Sequence, residues 1–492
     1  MIKTIKFSID KPTCNCGVFG ILGNQNDLPL TTYFGLHALQ HRGQEATGIT
    51  ASLKNEKGKS QFIIHKGFGL VSDVYAKSKF IENELNYEIS IGHNRYSTFG
   101  ASDSRKNIQP FVVNYRDGNL AVAHNGNLTN GKTLRKELEK DGAIFQTSSD
   151  SEVVLHLIAR SKKKDQIDQI RDACDQIEGS FSLIIMTDDS LIGVRDPHGV
   201  RPLCLGKKDD AYIITSETCA LDINSAEYVR DIEPGEILVV NKSIDAEEQL
   251  QSYKISNEVD KKHCVFEYIY FSRPDSKIFG SNVDKMRRKL GKNLALNHPV
   301  RDKDGDKVIV ISVPDSSNTA ALGYQNQLEK LNIPSKLEIG LIRSHYIGRT
   351  FILPAQKKRE IGVRIKFNTV KGVLENRTIV IIDDSIVRGT TSKQLISLIR
   401  EANPKEIHLR ISSPPIYNPC YYGMDFPSKE ELIANKFKDI KAIEEYLGID
   451  SLEFMTKDEM LESMIDHAPD NFCTACFTGD YQIPIKDLEL DL

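Results

Sequence analysis

The stretch VIIDDSIVRGTTS, Val380–Ser392, constrains the fold more than any other part of the 492-residue chain. Three β-branched residues run into two adjacent aspartates, Asp383 and Asp384. A short loop with one glycine and several hydroxyls follows, and then a helix is expected. A buried strand with an acidic tip, a turn and a helix belong to a parallel sheet with helices on its faces. Ligands of such sheets bind at the carboxyl ends of the strands. Loop N–H groups and a helix N-terminus attract phosphate, and Thr390, Thr391 and Ser392 can add hydroxyl donors. The aspartates repel a phosphate, so they suit ribose hydroxyls or a magnesium ion instead.

The surrounding sequence agrees. Continuous apolar runs predict strands at Lys307–Val313, Thr378–Ile382 and Glu406–Ser412. They alternate with helices predicted at Thr319–Leu331 and from the phosphate loop to about Ala402. Earlier in the chain the texture differs. Ser182–Asp188, Leu191–Arg195, Ala211–Ser216 and Glu236–Asn241 read as successive strands, and Thr31–Gln44 and Ser151–Lys163 as helices. The polar segment around Lys242–Lys262 is the expected boundary. The length fits two or more domains, taken as 16–255 and 256–492, with 1–15 as a removable leader.

Bulk properties narrow the class. With 64 Lys+Arg against 68 Asp+Glu the net charge is −4, which offers no field for nucleic acid or an anionic membrane as main partner. No apolar run approaches the roughly 18 residues of a membrane helix. The N-terminus has no apolar core of a secretory signal. Nine cysteines, an odd number, argue against a disulfide scaffold and for a reducing, cytoplasmic setting.

Val380–Ser392 resembles the phosphoribosyl pyrophosphate motif of type I phosphoribosyltransferases. The resemblance implies that Asp383 and Asp384 hold the ribose and Mg2+, and that Arg388, Gly389, Thr390, Thr391 and Ser392 hold the 5-phosphate. The turn VPDSS, Val313–Ser317, looks like the family's pyrophosphate loop, with Ser316 as a candidate magnesium ligand. Displacement at an anomeric carbon builds oxocarbenium-like charge, and pyrophosphate leaves well once a metal neutralises it.

In the first half, Cys16 opens the segment CGVFGI. An α-amine has a pKa of about 7.7–8.0. If Cys16 became residue one, its own amine could take the thiol proton, as N-terminal nucleophiles do. Cys14-Asn15-Cys16 offers two possible nucleophiles, and only Cys16 precedes GVFGI. Four further segments follow in order: HALQHRGQEATG (37–48), GHNRYSTFG (92–100), AHNGNL (123–128) and TSSDSE (147–152). Together the five resemble the glutaminase domain of N-terminal-nucleophile amidotransferases, an α+β fold layered αββα. The resemblance implies that Arg95, with Thr98 nearby, binds the glutamine carboxylate and that Asp150 binds its ammonium. It gives the oxyanion hole to the Asn125 side chain and the Gly126 N–H. Arg42 is expected to order the site rather than touch substrate.

Joined, the halves resemble the glutamine-dependent phosphoribosyl amidotransferase family. Glu267–Ser276 (EYIYFSRPDS) and Gly348–Asn368 add to the match; the family uses the latter as a flap that also encloses an ammonia passage. The resemblance implies 5-phosphoribosylamine, glutamate and pyrophosphate as products, in the first committed step of de novo purine (IMP) biosynthesis. It also implies a homotetramer or dimer, inhibited by purine nucleotides such as AMP and GMP. Cys473-Thr-Ala-Cys476 with the distant Cys264 and Cys420 fits a thiolate-ligated Fe–S cluster, a structural zinc or a redox pair. Their contexts resemble the cluster-bearing branch of the family, which implies [4Fe–4S]. Cys174, Cys204 and Cys219 are expected in the core.

Two other readings are open to such a chain. Synthases that make asparagine or glucosamine phosphate share the glutaminase half but lack the DDSIVRGTTS loop. A catalytically dead phosphoribosyl pyrophosphate sensor would have lost Cys16, Arg95 or Asp383, and all three are present.

Overall fold

The computed structural model describes residues 16–23, 27–76, 78–83, 85–96, 104–242, 249–255, 260–344, 366–426 and 428–490. Residues 1–15, Cys14 among them, Thr98 and most of the expected flap, 348–365, lie outside these.

The first half stacks two antiparallel sheets, one of seven strands and one of six. Gly17–Leu22 lies inside the first, between Tyr87–Arg95 and Ala211–Thr215. Gly118–Leu128 lies in the second, between Phe111–Tyr115 and Gly179–Met186. Val18, Ile91, Ala121, Ile184, Leu191 and Ile214 pack between the sheets as one apolar layer. Each such buried side chain contributes roughly 1.5–3 kcal/mol. Helix Leu28–Ala38 covers the outer face of the first sheet, and Glu152–Arg160 with Gln166–Cys174 covers that of the second. The expected αββα layering is therefore present. Strands here are buried on both faces, so they alternate poorly and read as apolar runs.

The helix expected over Thr31–Gln44 stops at Ala38. The chain turns there, with Arg42 N–H donating to the Leu39 carbonyl. The turn sends the Arg42 side chain into a buried cluster of carboxylates instead of along a helix face.

The second half is built on a five-stranded, all-parallel sheet ordered Ser335–Leu337, Val308–Ser312, Thr378–Asp383, Glu406–Ile411, Ser451–Phe454. Helices Val283–Asn297 and Asn318–Lys330 pack on one face; Thr390–Arg400 and Ile440–Leu447 pack on the other. Both short outer strands were absent from the sequence reading. They have three and four residues, too few to stand out as periodic runs.

Two of the ties between the halves lie at the chain end and around Arg42. The chain end returns to the first half, where Asp487 accepts from the Lys132 and Thr133 N–H groups at 2.8 and 3.0 Å. At the centre Arg42 joins Glu217 of the first half to Glu267 of the second. Among the described residues no helix is long and apolar enough to cross a membrane.

Candidate functional site

The glutamine-side residues converge from separate segments. Cys16 directly precedes Gly17, which lies opposite Asn94 in the sheet, so Cys16 stands beside Arg95 at the sheet's end. The thiol is buried and donates to the Tyr96 carbonyl at 3.5 Å. Burial pushes it up to about 11, against the lowering effects of that hydrogen bond and the Arg95 charge; Asp150 and Glu45 also act on it. A thiol so placed needs a base to become a nucleophile, which is the task a neighbouring α-amine can perform.

Asn125 is fully buried, and both atoms of its side-chain amide lack a hydrogen-bond partner among the described residues. Such orphaned groups cost free energy unless something fills the gap. A developing oxyanion is one such filler. Gly126 has φ +148°, and a Cβ there would meet the Ser180 carbonyl oxygen at 1.9 Å, so only glycine fits. Asp150 accepts from the Leu128 N–H at 3.0 Å, which anchors it to the same strand. Its other oxygen accepts from Ser149 and Ser151.

His93 and His124 flank this pocket and carried no role in the sequence reading. His124 shares a 2.8 Å hydrogen bond with Ser151, and His93 Nε2 lies 3.1 Å from the His124 carbonyl. Burial depresses His93 to about 3, so it is neutral. These histidines brace the strand that presents Asn125. Nothing in their sequence spacing distinguishes that from ordinary core packing.

Arg42 does not reach the pocket. It is fully buried, hydrogen-bonds Glu217, and pairs with Glu267 at 2.7 Å. Arg201 joins Glu267 at 3.3 Å, and His41 joins Glu217 at 2.7 Å. Burial alone would raise the Glu217 carboxyl, but Arg42 and His41 hold it well below the usual range. Arg42 instead joins the two halves through Glu217 and Glu267.

On the second half, Asp383 ends its strand and Asp384 follows, both buried. Ser316 donates to Asp384 at 2.5 Å and Ser317 donates to Asp383 at 3.2 Å. The VPDSS turn and the acidic pair thus meet as expected. Gly389 has φ +79° and begins helix Thr390–Arg400; a Cβ there would meet the Ile433 side chain at 2.3 Å. Thr390, Thr391 and Ser392 form the first turn of that helix, where N–H groups are unsatisfied within it. The cleft between these turns, about 130 Å³, is also lined by Tyr270, Arg343 and Phe367. Arg343 pairs with Asp315 across its rim at 2.9 Å. The Arg388 guanidinium lies 2.9 Å from Glu431. Tyr270, Arg343 and Phe367 went unassigned in sequence because they lie far from the loop motif.

Cys264, Cys420, Cys473 and Cys476 line one cavity of about 20 Å³, walled by Phe266 and Met424 and approached by Arg201. Cys264 and Cys473 are register partners in a short parallel pair. Burial pushes their thiols up to about 11 and about 12. Among the described residues no three His, Cys, Asp or Glu side chains already stand in metal-holding geometry. The four sulfurs nevertheless form a soft, all-thiol donor set around one apolar space. Cys174, Cys204 and Cys219 are buried in the first half, as expected.

A glutamine amidotransferase domain is matched over residues 93–222. Amidophosphoribosyltransferase 1, chloroplastic, of Arabidopsis thaliana is 48% identical over 482 residues, covering 98% of this chain and 80% of its own. The amidophosphoribosyltransferase of Bacillus subtilis is 44% identical over 474 residues, covering 96% and 94%. A solved structure described as the glutamine phosphoribosylpyrophosphate amidotransferase from B. subtilis, complexed with ADP and GMP, superposes with a TM-score of 0.85. It is 43% identical, covering 96% of this chain and 98% of that one. The chain belongs to the amidophosphoribosyltransferase family.

Proposed function

We propose that the chain releases ammonia from glutamine at Cys16 and transfers it to C1 of phosphoribosyl pyrophosphate, giving 5-phosphoribosylamine, glutamate and pyrophosphate. This is the first committed step of purine (IMP) synthesis. The observation that carries the reading is the buried amide of Asn125, unpartnered among the described residues, in a chain whose other half brings Ser316, Asp383, Thr391 and Ser392 to one cleft.

Removal of residues 1–15 frees the Cys16 amine. The amine takes the thiol proton as sulfur adds to the glutamine amide carbon, and the carbonyl electrons move to oxygen. The Asn125 side chain and the Gly126 N–H stabilise that oxyanion. Arg95, with Thr98, holds the substrate carboxylate, and Asp150 holds its ammonium. The oxyanion then collapses, the C–N bond breaks, and the proton leaves with ammonia. Water cleaves the thioester to glutamate.

The cleft residues orient the second substrate. Asp383, Asp384 and Ser316 are an oxygen-only donor set that fits Mg2+, whose charge would neutralise the pyrophosphate leaving group. Gly389, Thr390, Thr391 and Ser392 hold the 5-phosphate at the helix N-terminus, with Arg388 at the loop's entrance.

Cys264, Cys420, Cys473 and Cys476 fit a [4Fe–4S] cluster as a structural clip. Iron and sulfide analysis after anaerobic preparation tests this, and zinc alone would overturn it. The odd cysteine count fits a reducing compartment, and the cytoplasm is the location proposed. Assembly as a homotetramer and inhibition by AMP and GMP extend the family reading.

Mature, metal-loaded protein given glutamine, Mg2+ and phosphoribosyl pyrophosphate should form glutamate and pyrophosphate together. Glutamate formation that leaves phosphoribosyl pyrophosphate intact would refute the transfer. N-terminal mass spectrometry should find Cys16 as residue one.

A further inference from the structure

Residues 420–424 of the second half lie against the oxyanion strand of the first. The Asn127 side chain donates to the Tyr421 carbonyl at 2.9 Å. Gly423, φ +99°, faces Gly126 so closely that a Cβ would stand 3.1–3.3 Å from the Gly126 backbone. Gly126 is confined on its other side by the Ser180 carbonyl. Its peptide is therefore gripped between its own sheet and a turn nearly 300 residues later, the separation of Asn127 and Tyr421 being 294.

The turn has firm supports of its own. Arg201 donates to the Tyr422 carbonyl at 2.8 Å. The Tyr422 hydroxyl donates to the Ile483 carbonyl at 2.9 Å and accepts from the Ile483 N–H at 3.0 Å. The Tyr422 N–H lies 3.3 Å from the Cys420 sulfur. Immediately before it, the Tyr417 and Asn418 N–H groups both donate to the Cys476 carbonyl. The turn is thus fixed at one end to the four-cysteine cavity and at the other to Gly126.

We infer that the Cys420–Met424 turn, through Gly423 and Asn127, is a positioning element for the oxyanion hole. A donor aimed at developing charge acts only if its direction is fixed before reaction. Gly126 has no side chain to fix it, and among the described residues Asn125 has no partner that would hold its side-chain amide in place. The turn supplies the missing constraint from outside the glutaminase fold. It also gives the cysteine cavity a short mechanical route to glutamine cleavage. The inference rests on Asn125 and Gly126 being the oxyanion donors.

Gly423→Ala pushes a methyl against the Gly126 peptide, and Asn127→Ala removes the link to Tyr421 without touching the hole. Each is assayed as cluster-loaded, processed enzyme, with iron, sulfide and visible absorbance recorded. The expected result is a kcat for glutamine hydrolysis lowered about tenfold. The KM for glutamine, whose amide carbonyl is neutral before attack, should stay within about twofold, and ammonia-dependent synthesis and cluster content should be unchanged. Asn125→Ala is measured beside them. If Asn125→Ala keeps its kcat, the oxyanion assignment itself is wrong. If Asn125→Ala is impaired while Gly423→Ala and Asn127→Ala both keep full kcat, only the positioning role is overturned. Equal losses in kcat and in apparent glutamine affinity in both turn variants, or loss of the cluster in both, would show general damage and overturn it too.

Discussion

In the second half the acidic groups of the site, Asp383 and Asp384, are neighbours in sequence, and the helix that would hold phosphate starts six residues after Asp384, at Thr390. In the first half Cys16, Arg95, Asn125 and Asp150 come from four segments, and the pocket closes only when two sheets stack. One site is a local device mounted on a strand end. The other is a property of the whole domain and, at Gly126, of the neighbouring domain as well. Damage to the first should therefore stay local and chemical, whereas damage around the second should spread into stability.

The largest expected effects separate the two sites by reaction. Cys16→Ala should lower glutamine-dependent synthesis by about 10⁴-fold or more, as loss of a nucleophile does, and leave synthesis from ammonia near wild type. Asp384→Asn should instead lower both by on the order of 10²-fold. Parallel assays with glutamine and with ammonium salts check this. Loss of the ammonia reaction in Cys16→Ala would end the division of labour between the halves.

Arg42→Ala comes next. It leaves Glu217 and Glu267 buried with a carboxylate each and their main cation gone. Breaking a buried pair in this way costs about 3–5 kcal/mol. Denaturant unfolding should show that loss, and the two halves should unfold in separate steps. A single transition at the wild-type midpoint would mean that Arg42 is not the lock.

A smaller effect should follow pH. His93 is held neutral, its folded pKa near 3 against about 6.5 when unfolded. The unfolded chain therefore binds the extra proton first, and stability falls as pH drops from about 6.5 toward 3. Each pH unit in that window costs up to about 1.4 kcal/mol for one such group. His93→Asn should flatten the fall in melting temperature between pH 7 and pH 5. An unchanged slope would remove His93 from the acid response.

These differences also explain what could be read from the chain beforehand. The phosphate loop was legible because its physics is contiguous: strand, acids, glycine and hydroxyls occur in one run. The proposed glutamine pocket rests on family resemblance alone, since Arg95, Asn125 and Asp150 have ordinary neighbours and meet through sheet stacking. Glu217, Arg201 and Gly423 were not legible at all. Their roles depend on partners distant in sequence, 175 residues away for Glu217 with Arg42 and 221 for Arg201 with Tyr422, and a lone buried Glu or a turn glycine has no distinguishing spacing. The short parallel strand Ser451–Phe454 was hidden for a related reason, since four residues hold too little pattern.

The smallest predicted effect probes the same long reach at the chain's end. Helix Gly131–Lys140 begins at Asn130, whose side chain makes no capping hydrogen bond. Asp487 does that work from 355 residues away, accepting from the Lys132 N–H and, 354 residues away, from the Thr133 N–H and hydroxyl. A carboxylate at a helix N-terminus satisfies orphan donors and meets the positive end of the helix dipole. Asp487→Ala should cost about 1 kcal/mol, and amide exchange should quicken at Lys132 and Thr133 well before the global unfolding limit. The Lys486–Glu178 pair beside it, 2.6 Å apart and half exposed on the lysine side, should contribute far less. Helix and tail would then loosen together while the phosphate cleft keeps its ammonia activity. If exchange at both amides stays at the wild-type rate, the tail merely rests on the helix, and the glutaminase half caps its own elements after all.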